Sequence, residues 1–288
     1  MRETHAVYSR KTKVMLGICW ALLLLLAALM VFPAIYIILG SFKSNAELLV
    51  GGTKIFPSEW RVDNYTEAWQ QANFARYTLN SVFLAVGVMV LSLISSTMAG
   101  YVFSRKEFRG KTLIYSLFLA FMFINVGSVS LRPLFELAVK LKMNKSLLSV
   151  VFISAGTGQA TYIFLARGFV DSLPRELDEA AKIDGCTFVQ IYRMVILPLL
   201  KPVIATIALL SFRQGWNEYI LPLVFTMTNE SMRPLTVGVN MLKNAGDGTA
   251  AWNIMFAGAT IAIVPMLVVY CFFGRYFMSG MSAGAVKG

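Results

Sequence analysis

Charge-free apolar stretches long enough to cross a lipid bilayer recur along this chain. They occupy residues 14–39, 79–103, 112–131, 146–166 and 253–274. A hydrocarbon core about 30 Å thick is crossed by roughly 20 residues of helix. Lipid offers the backbone no hydrogen-bond partners, so each such stretch is expected to satisfy its own peptide groups as an α-helix. Residues 203–226 are also long enough but carry Arg213 and Glu218. The pattern predicts an all-α, polytopic membrane protein with about six transmembrane helices. The fifth has the least defined limits.

Composition agrees. Of 288 residues, 57% are hydrophobic and 14% charged, against about 25% charged in soluble domains. The net charge of +11 would suggest nucleic acid in a soluble protein. Here the basic residues lie mainly between apolar spans, where they set topology and meet headgroups, so no nucleic-acid partner is expected. Cys19, Cys186, Cys271 and the single His5 show no metal or redox spacing, so no metal site, disulfide or cofactor is expected.

Six spans put both termini on one side. With cytoplasmic termini, the inner segments carry 15 Lys and Arg against 10 outside, and Arg213 lies within a span. The bias is modest, and Arg132, Lys140, Lys142 and Lys145 oppose it. The basic residues flanking the first span and in the short 105–111 loop weigh most in the positive-inside rule. Arg10, Lys11 and Lys13 before a leucine run resemble a signal-peptide entry, but the apolar run is too long for one and reads as an uncleaved anchor. The largest outer region, 40–79, carries Trp60, Tyr65 and Trp69 and is expected to form short interfacial helices.

Residues 171–198, between the fourth and fifth spans, read as two short helices with a bend. Asp171 or Ser172 can cap the first, and Pro174 suits its opening turn. Glu176, Asp178 and Glu179 complement the helix dipole. Gly185 is a natural left-handed terminator. Thr187 and Gln190 have capping-box spacing for the second helix, and Pro198 and Pro202 close it. Leu177, Ala180, Ala181 and Asp184 fall near one face, where the alanines leave room for a close-packed partner. An ordinary amphipathic linker on the membrane surface would show the same features.

The spaced set Glu179-Ala180-Ala181, Gly185 and Leu197-Pro198 resembles the Glu-Ala-Ala loop of permease subunits in binding-protein-dependent ABC importers. The family pattern is Glu-Ala-Ala-x-x-x-Gly, nine variable residues, then Ile-x-Leu-Pro, and Val195 stands here at the Ile position. Asp184 and Phe188 extend the likeness to the carbohydrate-uptake branch, similar to maltose-type permeases. The stretch from Phe56 to Trp60, with Asn64, Tyr65 and Trp69, resembles the loop after span one in sugar permeases. Residues 280–288 resemble the tail that reaches the ATPase dimer, which implies contacts from Gly284, Val286, Lys287 and Gly288.

The resemblance covers nearly the whole chain. It implies the type I ABC importer transmembrane fold as one permease domain, 1–288. It further implies a non-enzymatic transport subunit in a bacterial or archaeal cell membrane. The expected partners are a second homologous permease, two copies of an ATP-binding subunit and an extracytoplasmic solute-binding protein. The cargo would be a sugar or oligosaccharide; Arg213 within a span, and not the resemblance, points further to either an acidic glycan or a carboxylate on the partner permease as its counter-charge. Glu179, Ala180, Ala181, Asp184, Gly185, Phe188, Leu197 and Pro198 would couple to the ATPase.

Arg213, Trp216, Asn217, Glu218 and Tyr219 form a polar and aromatic group in the fifth span. Intramembrane ionisable residues are costly and usually face a cavity or partner, so this group is a candidate substrate path. Equally, Glu218 could lie solvated at the outer interface. Gly156, Gly158 and Gln159 read as helix-packing positions. No Gly-x-x-x-x-Gly-Lys-Ser/Thr loop occurs, so ATP binding is expected elsewhere. An ion-coupled secondary transporter, with Glu218 as its carboxylate, and an ABC permease for a non-sugar solute remain open alternatives. An intramembrane enzyme has no paired carboxylates or metal set to support it.

Overall fold

A computed structural model describes residues 10–50, 54–71, 73–124, 127–244 and 250–285; side chains beyond 272 are not described. Described residues form helices and turns, with no strand among them. In chain order the helices are α1 (Arg10–Gly40), α2 (Asn45–Leu49), α3 (Asp63–Gln71), α4 (Phe74–Arg105), α5 (Lys111–Phe123), α6 (Leu131–Lys140) and α7 (Leu147–Asp171). Then follow α8 (Glu176–Ile183), α9 (Phe188–Ile191), α10 (Leu197–Leu199), α11 (Lys201–Asn217), α12 (Ile220–Phe225), α13 (Leu235–Met241) and α14 (Trp252–Ala285).

Four of the expected spans are present as long apolar helices: α1, α4, α7 and α14. The fifth is a bent element, in which residues Phe188–Leu199 meet Lys201–Asn217 at 81°. Two expectations need correction. The third span was expected over 112–131, but helix α5 ends at Phe123, and a 3-10 turn over Gly127–Ser130 separates it from α6. Gly127 there has φ 54, a left-handed value that no regular helix continues through. The fifth span was expected to run to 226, but α11 stops at Asn217. Glu218 is extended at φ −62 and ψ 126, and its carboxylate accepts from Leu221 N–H at 3.4 Å. A residue in the extended region cannot continue the helical turn, so α11 ends there.

The chain divides into two compact units, Met1–Trp69 with Leu242–Thr260, and Gln70–Met241 with Ile261–Gly288. In the first, the most apolar stretch of α1 buries nothing against its own chain, as suits a helix whose solvent is lipid. The connection after α1 is ordered by Asn64, which is buried. Its Nδ2 donates to Ser41 O at 2.8 Å and Lys43 O at 2.9 Å, and its Oδ1 accepts from Asn253 Nδ2 at 2.8 Å. The short helices α2 and α3 fall within residues 40–79, where short helices were expected.

In the second unit α4 packs along α7 and α11. Small residues permit the approach. A Cβ on Gly100 would lie 2.7 Å from Ala166 Cβ, and one on Gly215 would lie 2.8 Å from Ala85 Cα. One apolar cluster joins Leu84, Val88, Val150, Val151 and Phe225; another joins Tyr101, Ala166, Val170, Ile191, Ile196 and Ile207. Between α9 and α10 the backbone forms a π turn over Tyr192–Ile196, with Leu197 N–H donating to Tyr192 O. Residues five apart diverge by about 140° on an α-helix at 3.6 residues per turn. The π turn lets Ile191 and Ile196, both fully buried, enter the same core.

Candidate functional site

The 171–198 segment is two helices around a glycine, as expected. Gly185 has φ 81. Thr187 and Gln190 form the reciprocal capping box at the start of α9. The start of the first helix differs: it begins at Glu176 after Arg175, with no side-chain cap. Asp171 instead belongs to α7, where it accepts from Ser104 Oγ at 2.6 Å and pairs with Arg167 Nε at 3.4 Å. Ser172 donates to Phe169 O at 2.6 Å rather than capping α8.

The expected face of α8 is divided. Ala181 turns inward onto the second cluster, while Glu179, Ala180, Asp184 and Gly185 are exposed. Ile183 and Val189 are also exposed, at 87% and 67%. A small acidic and apolar surface therefore points away from the bundle. Phe188 points the other way. Its ring stacks on Tyr101 with centroids 4.5 Å apart, and Lys106 Nζ lies 4.5 Å from its centroid on α4's trailing end. Leu197 is half-buried at the end of the π turn, and Pro198 is exposed.

Asp178 was legible only as a dipole-complementing charge, yet it is the buried anchor of the loop. Its two carboxylate oxygens accept from Tyr101 Oη at 2.8 Å and Arg105 Nε at 3.0 Å. Arg105 Nη2 also donates to Leu173 O at 2.8 Å. The Arg105 and Asp178 side chains are each 7% exposed. A buried pair of this kind is sustained by further hydrogen bonds to its members, which Tyr101 and Leu173 O supply here.

Deeper in the bundle, Gly158, Thr161, Tyr162, Leu210, Arg213, Gln214 and Asn217 line a cleft of about 400 Å³. Gln214 organises it, donating to Ser154 O at 2.6 Å and Thr157 Oγ1 at 2.9 Å and accepting from Tyr162 Oη at 2.7 Å. Gly158 leaves room for that amide: a Cβ there would lie 2.6 Å from Gln214 Oε1. Arg213 and Asn217 are exposed to the cleft and Arg213 has no ion pair among the described residues.

The other members of the candidate path lie apart. Trp216 is buried and stacks on Phe212, with centroids 6.0 Å apart. Glu218 and the half-buried Tyr219 sit at the helix break, where Glu218 O accepts from Thr236 Oγ1 at 2.8 Å. Sequence reasoning missed Tyr162 and Gln214, neutral residues that carry no charge signal within an apolar span. Among the described residues no group of acidic, cysteine or histidine side chains could hold a metal. His5 and residues 286–288 of the expected ATPase-contacting tail lie outside the described residues. Gly284 falls within α14, which continues past the expected end of the last span.

Residues 93–282 match the family described as the binding-protein-dependent transport system inner membrane component. The chain belongs to this family. The permease is 34% identical to an arabinooligosaccharides transport system permease protein of Halalkalibacterium halodurans, over 91% of this chain and 93% of that one. It is 30% identical to a diacetylchitobiose uptake system permease protein of Streptomyces coelicolor, over 94% and 89%. In structure it is similar to a bacterial ABC transporter involved in the import of the acidic polysaccharide alginate. That likeness has a TM-score of 0.80 and 25% identity, and covers 94% of this chain and 99% of that one. The permease is thus a multi-pass membrane protein with the importer transmembrane fold. It is a transport component and not an enzyme; it works with a separate ATP-binding subunit and a solute-binding protein.

Proposed function

We propose that this permease forms half of the path through which an ATP-driven importer carries a sugar or oligosaccharide. It would pair with a second homologous permease over two copies of the ATP-binding subunit. Both termini would be cytoplasmic, in a bacterial or archaeal cell membrane. The exposed surface around Glu179, Ala180, Asp184 and Gly185 would dock on the ATP-binding subunit, and the end of α14 with residues 286–288 would reach the same subunits.

The observation that carries the cargo reading is the polar cleft between α7 and α11. Sugar hydroxyls need both donors and acceptors, and Thr161, Tyr162, Gln214 and Asn217 provide them. Relatives named for arabinooligosaccharides and diacetylchitobiose support a carbohydrate.

Arg213 favours an acidic glycan within that class. It sits twelve residues into α11, about 18 Å along a helix at roughly 1.5 Å per residue. A guanidinium at such depth is retained where an anion or water compensates it. A uronate carboxylate would do so through charge-assisted hydrogen bonds. The structural neighbour that imports alginate supports the same reading.

The test is import by the reconstituted complex of an alginate trisaccharide and of arabinotriose, a neutral sugar of equal length. Arg213→Gln is expected to impair uptake of the acidic trisaccharide selectively, with complex assembly intact. Equal losses for both sugars would make Arg213 structural. Import of neither by the wild-type complex would overturn the assignment to these glycans.

A further inference from the structure

One stripe of α4 grips the whole coupling segment. Thr97, Tyr101, Ser104 and Arg105 fall at helical spacings that share a face. Thr97 Oγ1 lies 2.8 Å from Tyr192 Oη, at the start of the π turn. Tyr101 and Arg105 hold Asp178 in α8, and Tyr101 also stacks on Phe188 at the start of α9. Ser104 donates to Asp171, and Arg105 to Leu173 O, so the last turn of α7 and the connection into α8 are held too. These bonds start from a single helix and reach successive parts of the segment. On α8 itself, Ala180 and Ile183 lie about 160° and 140° round the helix from the gripped Asp178.

We propose that Asp178 is a positioning residue for energy coupling: through Tyr101 and Arg105 it makes α8 and the cytoplasmic end of α4 move as one body. The proposal rests on the reading that α8 docks on the ATP-binding subunit. A short helix displaced from outside can shift a span only if the joint between them does not yield. Asp178 meets that requirement chemically. Both of its carboxylate oxygens are engaged, one by a phenol and one by a guanidinium that is itself fixed to a backbone carbonyl. Apolar packing alone would let α8 slide along α4, because dispersion contacts are not directional. The carboxylate fixes register as well as distance. α4 in turn packs against α7 and α11, which line the polar cleft, so the joint lies on a direct path from the docking surface to the cargo.

The test uses the complete importer, with both permeases, the ATP-binding subunits and the binding protein, reconstituted in liposomes. The readout is trisaccharide imported per ATP hydrolysed, for whichever of the two trisaccharides the wild type imports. Asp178→Asn is expected to lower that yield about fivefold or more, the scale of a typical coupling between sites. Asp178→Glu is expected to retain most of it, because the carboxylate is kept. Tyr101→Phe removes one hydroxyl and preserves the stack on Phe188, and is expected to give a smaller loss in a fully assembled complex.

An unchanged yield in both Asp178→Asn and Tyr101→Phe overturns the proposal. If Asp178→Asn does not assemble, Tyr101→Phe decides alone, and an unchanged yield again overturns it. Glu179→Lys separates this from the docking reading. It is expected to weaken recovery of the ATP-binding subunit with the permeases; recovery at the wild-type level would overturn docking itself, whatever Asp178 does.

Discussion

Gly100 and Ala166 meet where α4 crosses α7, so closely that a Cβ on the glycine would lie 2.7 Å from the alanine methyl and 2.8 Å from Arg167 N. The neighbour includes backbone, which cannot turn aside as a long side chain could. Gly100→Ala is therefore expected to push the two helices apart and destabilise the permease by about 1–3 kcal/mol, the usual cost of overpacking. Thermal unfolding of the detergent-solubilised protein should show a lowered midpoint. Gly156→Ala, inside α7 with no atom within 4 Å of its Cβ, is expected to hold or raise the midpoint, since Ala is the better helix former.

Gly185 isolates a different effect. Nothing lies within 4 Å of a Cβ built there, but its φ is 81. Within the permease itself Gly185→Val should therefore act through backbone conformation, at a cost of roughly 1–2 kcal/mol for an L-residue held left-handed. The bend would relax and displace α8 from α9. Uptake is expected to fall at least about tenfold, the factor that 1.4 kcal/mol represents, while membrane levels stay near normal. Gly185→Asn should do far better, since Asn tolerates the left-handed region. Equal loss in both would point to something other than the bend.

Asn64 offers a test in the other compact unit. Replacing it by Leu removes two donated bonds and one accepted bond at a buried position, and strands Ser41 O, Lys43 O and Asn253 Nδ2. Each buried polar group left unpaired costs about 1–3 kcal/mol. Limited proteolysis of the intact permease is expected to cut within residues 40–65 faster in Asn64→Leu than in the wild type.

Deletion of Ala283–Gly288 addresses the tail. If the end of α14 contacts the ATP-binding subunits, the truncated importer should show lower transport or ATPase activity that no longer follows loaded binding protein. Unchanged coupling in an assembled complex would remove the tail from the mechanism.

Much of the architecture was legible because lipid imposes a simple requirement. Twenty uncharged residues must become helix, and α1, α4, α7 and α14 did so. Residues 112–131 met the same criterion and 203–226 met it in length alone, but local geometry overrode both. Gly127 turns left-handed after α5, and Glu218 spends its carboxylate on Leu221 N–H. Hydropathy averages over such events. In the coupling segment, Gly185, Thr187 and Gln190 were readable because their chemistry is local. Asp178 was not, because its partners Tyr101 and Arg105 lie more than seventy residues away. The polar cleft was half legible. Arg213 announced itself by charge, whereas Gln214 and Tyr162 matter through a hydrogen bond across 52 positions.

The π turn at Tyr192–Ile196 marks the one place in this part of the chain where a change in length is absorbed locally. Removing one residue within the turn would let it close into a regular helix. Ile191 and Ile196 would then stand four apart, about 40° round an α-helix at 3.6 residues per turn, and would still face the same core. Removing a residue from α11 instead, which has no wide turn to take up the change, would rotate everything beyond it by about 100° and turn a different face toward α7. The extra residue of the π turn is thus a position the bundle can lose without turning.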